Sequence, residues 1–208
     1  MNEPTGFHSS WEAKYQSGHS QRYPWDAVVT FVFRNAPKGV PRDRVGIVEI
    51  GSGNASNLWF AAREGFRVAG IDGSATAVAA ARERFAKEGL AGTFEVGDFT
   101  KPLPWPDASF DLAIDRASLT CCGDADMAAA LAEIWRILKP GGRLLTTVYG
   151  DTHFSRSTGR TLANGLTVDM RGGSAVGIPA LRFYSHIELE ALFAAGGWVA
   201  RSFERIEN

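Results

Sequence analysis

A chain of 208 residues with 45% apolar and 22% charged side chains is long enough for one domain with a proper core and too short for two comfortable ones. Its formal net charge of -1 sets up no strong field, which disfavours nucleic acid and anionic membrane surfaces as partners. No run of about 18 apolar residues predicts a membrane span, the first five residues lack the basic-then-apolar pattern of a signal peptide, and the adjacent cysteines Cys121 and Cys122 give neither a disulfide framework nor zinc spacing. These features predict a cytoplasmic protein without a metal, a monomer or homodimer.

In chain order, Trp11 to Ser17 reads as a short helical stretch, and a polar connector from Gly18 to Arg22 follows. Pro24 sits where proline favours a helix start, so Pro24 to Asn35 is expected to be a helix. The apolar run from Val45 predicts a buried strand that stops at Gly51, followed by a helix from Ala55 to Glu64. Phe66 to Ile71 predicts a second strand. Ser74 is placed to cap an alanine-rich helix, Ala75 to Lys87. Thr93 to Val96 is a short strand, the proline-rich stretch Lys101 to Asp107 a loop, and Phe110 to Ile114 a strand. Asp126 to Leu138 has helical spacing, Lys139-Pro140-Gly141-Gly142 stops it, and Arg143 to Tyr149 is the next strand. Strands and helices alternate four times, which predicts an α/β, Rossmann-like fold with a mostly parallel sheet and helices on both faces. Gly150 to Leu181 is long, polar and glycine-rich, with strand-like pieces at Leu166 to Met170 and Leu181 to Tyr184. A structureless loop of that length is unexpected inside a domain, so it reads as a substrate-side insertion. His186 to Ala195 is a helix and Trp198 to Ile206 a closing strand. The expected organisation is one domain: a cap over 1–44, a core over 45–149, an insertion over 150–183 and a closing helix and strand over 184–208.

The stretch with most chemical content is Glu49-Ile50-Gly51-Ser52-Gly53. Two glycines one residue apart let the backbone turn tightly and approach a ligand. Asp72 ends the next strand, 21 residues beyond Gly51. That spacing suits a nucleoside-binding βαβ unit, with the acid on the ribose hydroxyls.

Five pieces in order, Glu49-Ile50-Gly51-Ser52-Gly53, Ile71-Asp72-Gly73-Ser74, Gly97-Asp98-Phe99, Ser109 to Arg116 and Leu138-Lys139-Pro140-Gly141-Gly142, resemble the class I S-adenosylmethionine-dependent methyltransferases over roughly residues 45 to 149. Trp11-Glu12-Ala13-Lys14-Tyr15, Gly18 and Tyr23-Pro24-Trp25-Asp26 are similar to the amino-terminal segment that folds over the cofactor in the thiopurine and tellurite-resistance group. The resemblance implies S-adenosylmethionine as cofactor, S-adenosylhomocysteine as product, and an acceptor that is a small polar metabolite, a sugar or a natural-product intermediate, methylated on oxygen or nitrogen. The polar, basic insertion, with Arg156, Arg160, Arg171 and the hydroxyls of Ser155, Ser157, Thr158 and Thr161, motivates that polar acceptor. Other readings are a non-catalytic binder of the same cofactor and, less favoured, a nicotinamide-dependent oxidoreductase.

The resemblance also assigns roles. Gly51, Ser52, Gly53 and Asn57 would face the methionine part, and Asp72, Gly73 and Ser74 the ribose. Gly97, Asp98 and Phe99 would meet the adenine, Asp98 accepting from its amino group. Glu49 either orients the loop or the cofactor ammonium, or is structural. Asp115 would contact cofactor or substrate, or take a proton from the acceptor. Arg116 either orients an anionic group or makes a surface ion pair. Trp11, Tyr15, Tyr23 and Trp25 form either a lid over the sulfonium or a helix packed on the sheet edge. His153, after the fifth strand with Tyr149, is a candidate base. Cys121 and Cys122 are expected to be buried. Two departures stand out. Ala55 replaces the usual third glycine and is expected to have ordinary backbone angles. No residues remain after the closing strand for a further antiparallel strand, so either the insertion supplies an edge strand or a native tail is missing.

Overall fold

The computed structural model describes residues 8–204. Its centre is a five-stranded parallel sheet in the order β3-β2-β1-β4-β5. The strands are β1 (Gly46–Ile50), β2 (Arg67–Asp72), β3 (Thr93–Val96), β4 (Phe110–Arg116) and β5 (Leu138–Thr147). β1 is buried at every position, as a strand covered on both faces must be, and this is why it reads as an unbroken apolar run.

Alternate residues feed two cores. Val48, Ile50, Ala69, Ile71 and Ala113 pack against α5 (Asp124–Ile137), through Met127, Ala130, Leu131 and Ile134, and against Leu189 of α7 (His186–Ala195). Ile47, Val68, Leu112 and Ile114 face the other way. They meet Val28 and Val32 of α2 (Asp26–Asn35), Leu58 and Ala61 of α3 (Ser56–Arg63), and Val78, Ala81 and Phe85 of α4 (Ala75–Lys87). Glu49 shares the parity of Ile47, so its side chain leaves β1 on the α3 side. The α1 helix (Ser10–Gln16) buries no residue and packs near α4.

The insertion is ordered. β6 (Tyr149–Gly150) continues β5 and pairs in parallel with β9 (Ala180–Tyr184). β9 pairs antiparallel with β8 (Leu166–Val168), and β8 with β7 (Arg160–Thr161). A single turn, α6 (Phe154–Ser157), precedes β7. The insertion's strands thus form a second, four-stranded sheet in the order β6-β9-β8-β7, and none of them pairs with β5.

Three expectations change. Ala55 is in the left-handed region, with φ 59° and ψ 36°, and is fully buried. The turn needs that angle to swing the chain into α3, and alanine is the smallest side chain that can bear it, at a cost of about 1–2 kcal/mol. The closing strand does not form over residues 198–204, and residues 205 and 206 lie outside the described residues. Trp198 is instead drawn onto α5, its ring edge-on to Trp135 at 5.0 Å, while its backbone N–H donates to Phe193 O at the end of α7. Finally, Lys139-Pro140-Gly141-Gly142 is a bulge inside β5: Phe110 pairs with Leu138 and Leu112 with Arg143.

Candidate functional site

The strand order reverses between β1 and β4, and a crevice opens there at the carboxyl ends of the strands, where open α/β sheets bind ligands. Its floor is the turn after β1. Gly51 and Gly53 have φ of 65° and 53°, and a side chain at either would run into a neighbour, Ser118 for Gly51 and the Tyr15 hydroxyl for Gly53. Bare backbone is therefore required on grounds of both angle and space. Ser52 N–H donates to Ile71 O (3.0 Å) and Ala55 N–H to Ser52 O (2.8 Å), which ties the turn to β2.

Asp72, at the end of β2, is 7% exposed. Its Oδ2 accepts from Gly53 N–H at 2.8 Å and its Oδ1 from Ser74 N–H at 2.8 Å. Burial raises its pKa against the pull of those two donors. Each oxygen keeps a second lone pair for a ligand donor.

Glu49 is 2% exposed. Asn57 Nδ2 donates to its Oε1 at 2.6 Å, and Asn57 Oδ1 accepts from the Trp25 N–H at 3.0 Å. A relay thus runs from the amino-terminal segment through α3 to β1. Glu49 Oε2 and Ser52 Oγ are buried without a hydrogen-bond partner among the described residues. Burial pushes the Glu49 carboxyl up to about 8, opposed by Asn57 and helped by the charges of Asp115 and Asp72. An acid in this state lacks a cation or donor, so the site suits a ligand that brings one.

The amino-terminal segment closes the crevice. Glu12 on α1 accepts from the Ser74 and Thr76 hydroxyls and from Thr76 N–H at the start of α4. Those bonds hold its pKa down, and an acid is favoured at a helix amino terminus. Tyr15 lies over Gly53, and burial, then the charges of Asp72 and Glu49, raise its pKa. The connector is pinned to the glycine turn: Asn54 Nδ2 (2.8 Å) and Ser56 Oγ both donate to Gln21 O. The Arg116 guanidinium lies 4.0 Å from the Trp25 ring centroid.

Together these residues enclose a cavity of about 340 Å³, a size ordinary for a small-ligand site. Of the expected site residues, Trp11, Tyr15, Trp25, Glu49, Gly51, Ser52, Gly53, Asn57, Asp72, Gly73, Phe99 and Arg116 line it. Six expected residues do not, the exposed Tyr23 among them. Ser74 caps α4, accepting from Ala77 N–H at 3.1 Å. Gly97 packs on Ile71. Asp98 Oδ1 accepts from the N–H and hydroxyl of Thr100 and shapes the turn that presents Phe99.

Asp115 is fully buried in its own turn. Its Oδ1 accepts from Ser118 N–H (2.8 Å) and Leu119 N–H (3.0 Å), and its Oδ2 from Thr146 Oγ1 (2.6 Å). Burial raises its pKa to about 6, but its lone pairs are spent on scaffold. His153 sits in a separate depression, Nδ1 accepting from Ser155 N–H and Nε2 at 3.1 Å from Ser174 Oγ. Both candidate bases are therefore away from the cavity.

The cavity also has walls that the sequence reading left out. His8, His19 and Gln21 come from the cap, and Asn54, Ser56, Ala117 and Ser118 from turns. Cys121 and Cys122 belong to it as well, and burial pushes the Cys121 thiol up to about 12. Ile178 to Leu181 come from the insertion. No local pattern marks Glu12 or Ile178, because each reaches the crevice only through contacts long in sequence, 62 residues for Glu12 and Ser74. The insertion's arginines stay outside. Arg160 pairs with Asp169 at 3.2 Å and Arg156 donates to Asp151 O, while Arg171 is exposed. Among the described residues no cluster of His, Cys, Asp or Glu is placed to hold a metal ion, and no helix is long and apolar enough to cross a membrane.

Residues 47–142 match the family described as methyltransferase domain. The demethylmenaquinone methyltransferase of Deinococcus radiodurans is 44% identical over 69 residues, which is 31% of this chain and 26% of that protein. The chain therefore aligns with about a quarter of that relative's length. Among solved structures, one described as the conversion of a disulfide bond into a thioacetal group during echinomycin biosynthesis superposes with a TM-score of 0.68 at 24% identity, over 93% of this chain and 80% of that one. The 1,6-didemethyltoxoflavin-N1-methyltransferase of Burkholderia thailandensis, solved with 1,6-didemethyltoxoflavin and S-adenosylhomocysteine, gives 0.65 at 18% identity over 90% and 74%. At such identities the likeness is one of fold.

Proposed function

We propose that this chain, whose residues 47–142 match a methyltransferase domain, is an S-adenosylmethionine-dependent methyltransferase, methylating an oxygen or nitrogen of a small molecule such as a natural-product intermediate. The observation that carries this reading is the convergence of Asp72, the bare Gly51–Gly53 turn and the unpartnered Glu49 Oε2 on one lidded cavity. The site suits that cofactor. Asp72 would take the ribose hydroxyls, Phe99 would lie beside the adenine, and Glu49 with Ser52 would meet the methionine end. When bound, S-adenosylmethionine supplies a methyl on a sulfonium; the acceptor's lone pair forms the new bond, the sulfur keeps the old pair, and S-adenosylhomocysteine is left. The chain's own task is to align the partners and exclude water. Trp11, Tyr15 and Trp25 would do so as a lid whose ring faces favour a cation, the part of the chain similar to the thiopurine and tellurite-resistance group.

Calorimetric titration with S-adenosylhomocysteine tests the reading. Binding should be micromolar or better, and Asp72→Ala should weaken it by about 2–3 kcal/mol, roughly 50-fold. Absence of binding at millimolar concentration would sink the proposal. A second reading, a binder that does no chemistry, draws on one observation: Asp115 and His153 are both engaged away from the cavity. Release of S-adenosylhomocysteine with a labelled methyl on an acceptor would remove it.

A further inference from the structure

The cavity's lining contains two groups of residues of contrasting chemistry, carried by different elements. One is Glu49, Asn57, Asp72 and the glycine turn, all polar or acidic. The other is Cys121, Tyr149, Ile178, Pro179, Ala180 and Leu181. Ala180 and Leu181 lie in β9 opposite Val168 and Thr167 of β8; their side chains leave the strand on opposite faces, and both residues line the cavity. The Leu181 side chain packs with Met170, Phe183, Tyr149 and Ile178 in a small core of the insertion, which makes the wall a rigid apolar surface. The cations nearby are spent elsewhere. Arg182 is held by Asp124 and Glu188 at 2.8 and 2.7 Å. Arg116 is the lone Lys or Arg in the lining among the described residues, and it is stacked on Trp25.

We infer that this wall of the cavity receives a flat, apolar acceptor, an aromatic ring bearing a hydroxyl or ring nitrogen, and not a sugar or a multiply anionic metabolite. The inference rests on the methyltransferase reading and deepens it. A sugar set against this wall would find only the Tyr149 hydroxyl among these side chains for its several hydroxyls, and a phosphorylated one would find a single stacked guanidinium. An aromatic ring loses nothing polar there, and its edge can reach the Tyr149 ring. An acceptor whose own proton is acidic, such as a phenol, also asks less of a base than an aliphatic alcohol does. A phenol can lose that proton to bulk water before it binds and enter the cavity as the phenolate.

Calorimetry with 2-naphthol and glucose 6-phosphate as probes tests the wall, with and without S-adenosylhomocysteine. Saturable 2-naphthol binding and no glucose 6-phosphate binding is expected. Ile178→Asp should weaken 2-naphthol binding about 10-fold while S-adenosylhomocysteine binding stays within about twofold. Pro179→Asp serves as the second variant should the first misfold by circular dichroism. Binding of glucose 6-phosphate in place of 2-naphthol, or 2-naphthol affinity unmoved in a folded variant, would overturn the inference. Loss of S-adenosylhomocysteine binding in the unaltered protein would overturn the cofactor reading alone, because 2-naphthol still reports on the wall without it.

Discussion

Two carboxylates at the carboxyl end of the sheet are held in opposite ways. Asp72 has an N–H on each oxygen, whereas Glu49 has Asn57 on one and, among the described residues, no donor on the other. The difference should be measurable as a pH dependence. The Glu49 carboxyl is raised to about 8 in the fold by burial, against about 4.3 in an unfolded chain. Between those values the folded state binds a proton that the unfolded state does not, so its contribution to stability is complete below about pH 4 and is lost as pH rises through about 8. Asp115, raised to about 6, adds a loss of the same sign that ends lower. Between pH 6 and 8 the Glu49 contribution should therefore stand out, with a slope of up to about 1.4 kcal/mol per pH unit. Glu49→Gln keeps an acceptor for Asn57 and has no charge to desolvate. Denaturant melts of the two proteins should give a flatter pH 6–8 slope for the variant and a more stable variant at pH 9; parallel slopes would refute the assignment. Ala55 offers a test in which opposing effects nearly cancel. Ala55→Gly relieves about 1–2 kcal/mol of left-handed strain, but it gives up a buried methyl worth about 0.8 kcal/mol and adds about 0.5–1 kcal/mol of unfolded-state entropy. The net change in a urea melt should lie within about 1 kcal/mol of zero.

At the scale of elements, α1 is the one whose order depends on a single polar grip. Seven residues, none fully buried, with Trp11 and Tyr15 half-buried, make a helix that would not hold by itself. Glu12 ties it to the start of α4, and α1 in turn carries Trp11 and Tyr15 over the cavity. Glu12→Ala should loosen the lid without touching either core. The expected result is an S-adenosylhomocysteine affinity about 5–10-fold lower and faster amide exchange over residues 10–16. Global stability should stay within about 0.5 kcal/mol, as for a surface substitution. Unchanged affinity with faster exchange would show that the helix is packing and no lid. The same contrast explains what could be read from the chain beforehand. β1, β2 and β4 are covered on both faces, so burial wrote itself into continuous apolar runs, and the glycine turn and Asp72 follow from local spacing. The Glu12 grip, the Ile178 wall and the true surroundings of Asp115 are products of tertiary contact and leave no local pattern. Trp198 misled for a related reason: its segment is apolar enough for a strand, yet its ring finds Trp135 on α5. Ala55 misled because residue type favours ordinary angles while the turn demands the left-handed one.

For the whole molecule, the crevice joins parts of the chain that otherwise share little: the amino-terminal cap, the ends of β1 and β2, the turn after β4, and the insertion. A ligand seated there would bridge all four, and since the unfolded chain has no such site, binding must raise the stability of the whole. At a ligand concentration 100 times the dissociation constant the gain is about 2.7 kcal/mol. A chain of this size shifts by about 2–4 °C per kcal/mol, so saturating S-adenosylhomocysteine should raise the melting temperature by about 5–10 °C. Asp72→Ala, at the same ligand concentration, should lose most of that shift, because a roughly 50-fold weaker complex leaves the ligand near its dissociation constant, where the gain is below about 1 kcal/mol. Glu12→Ala should keep about half of it, since a loosened lid weakens one of the four attachments and spares the rest. A nicotinamide dinucleotide is the informative control. It shares the adenosine half, so a small shift is compatible with the site; a shift larger than that of S-adenosylhomocysteine would mean that the crevice was shaped for a hydride carrier and that the methyl-transfer reading fails while the sheet stands.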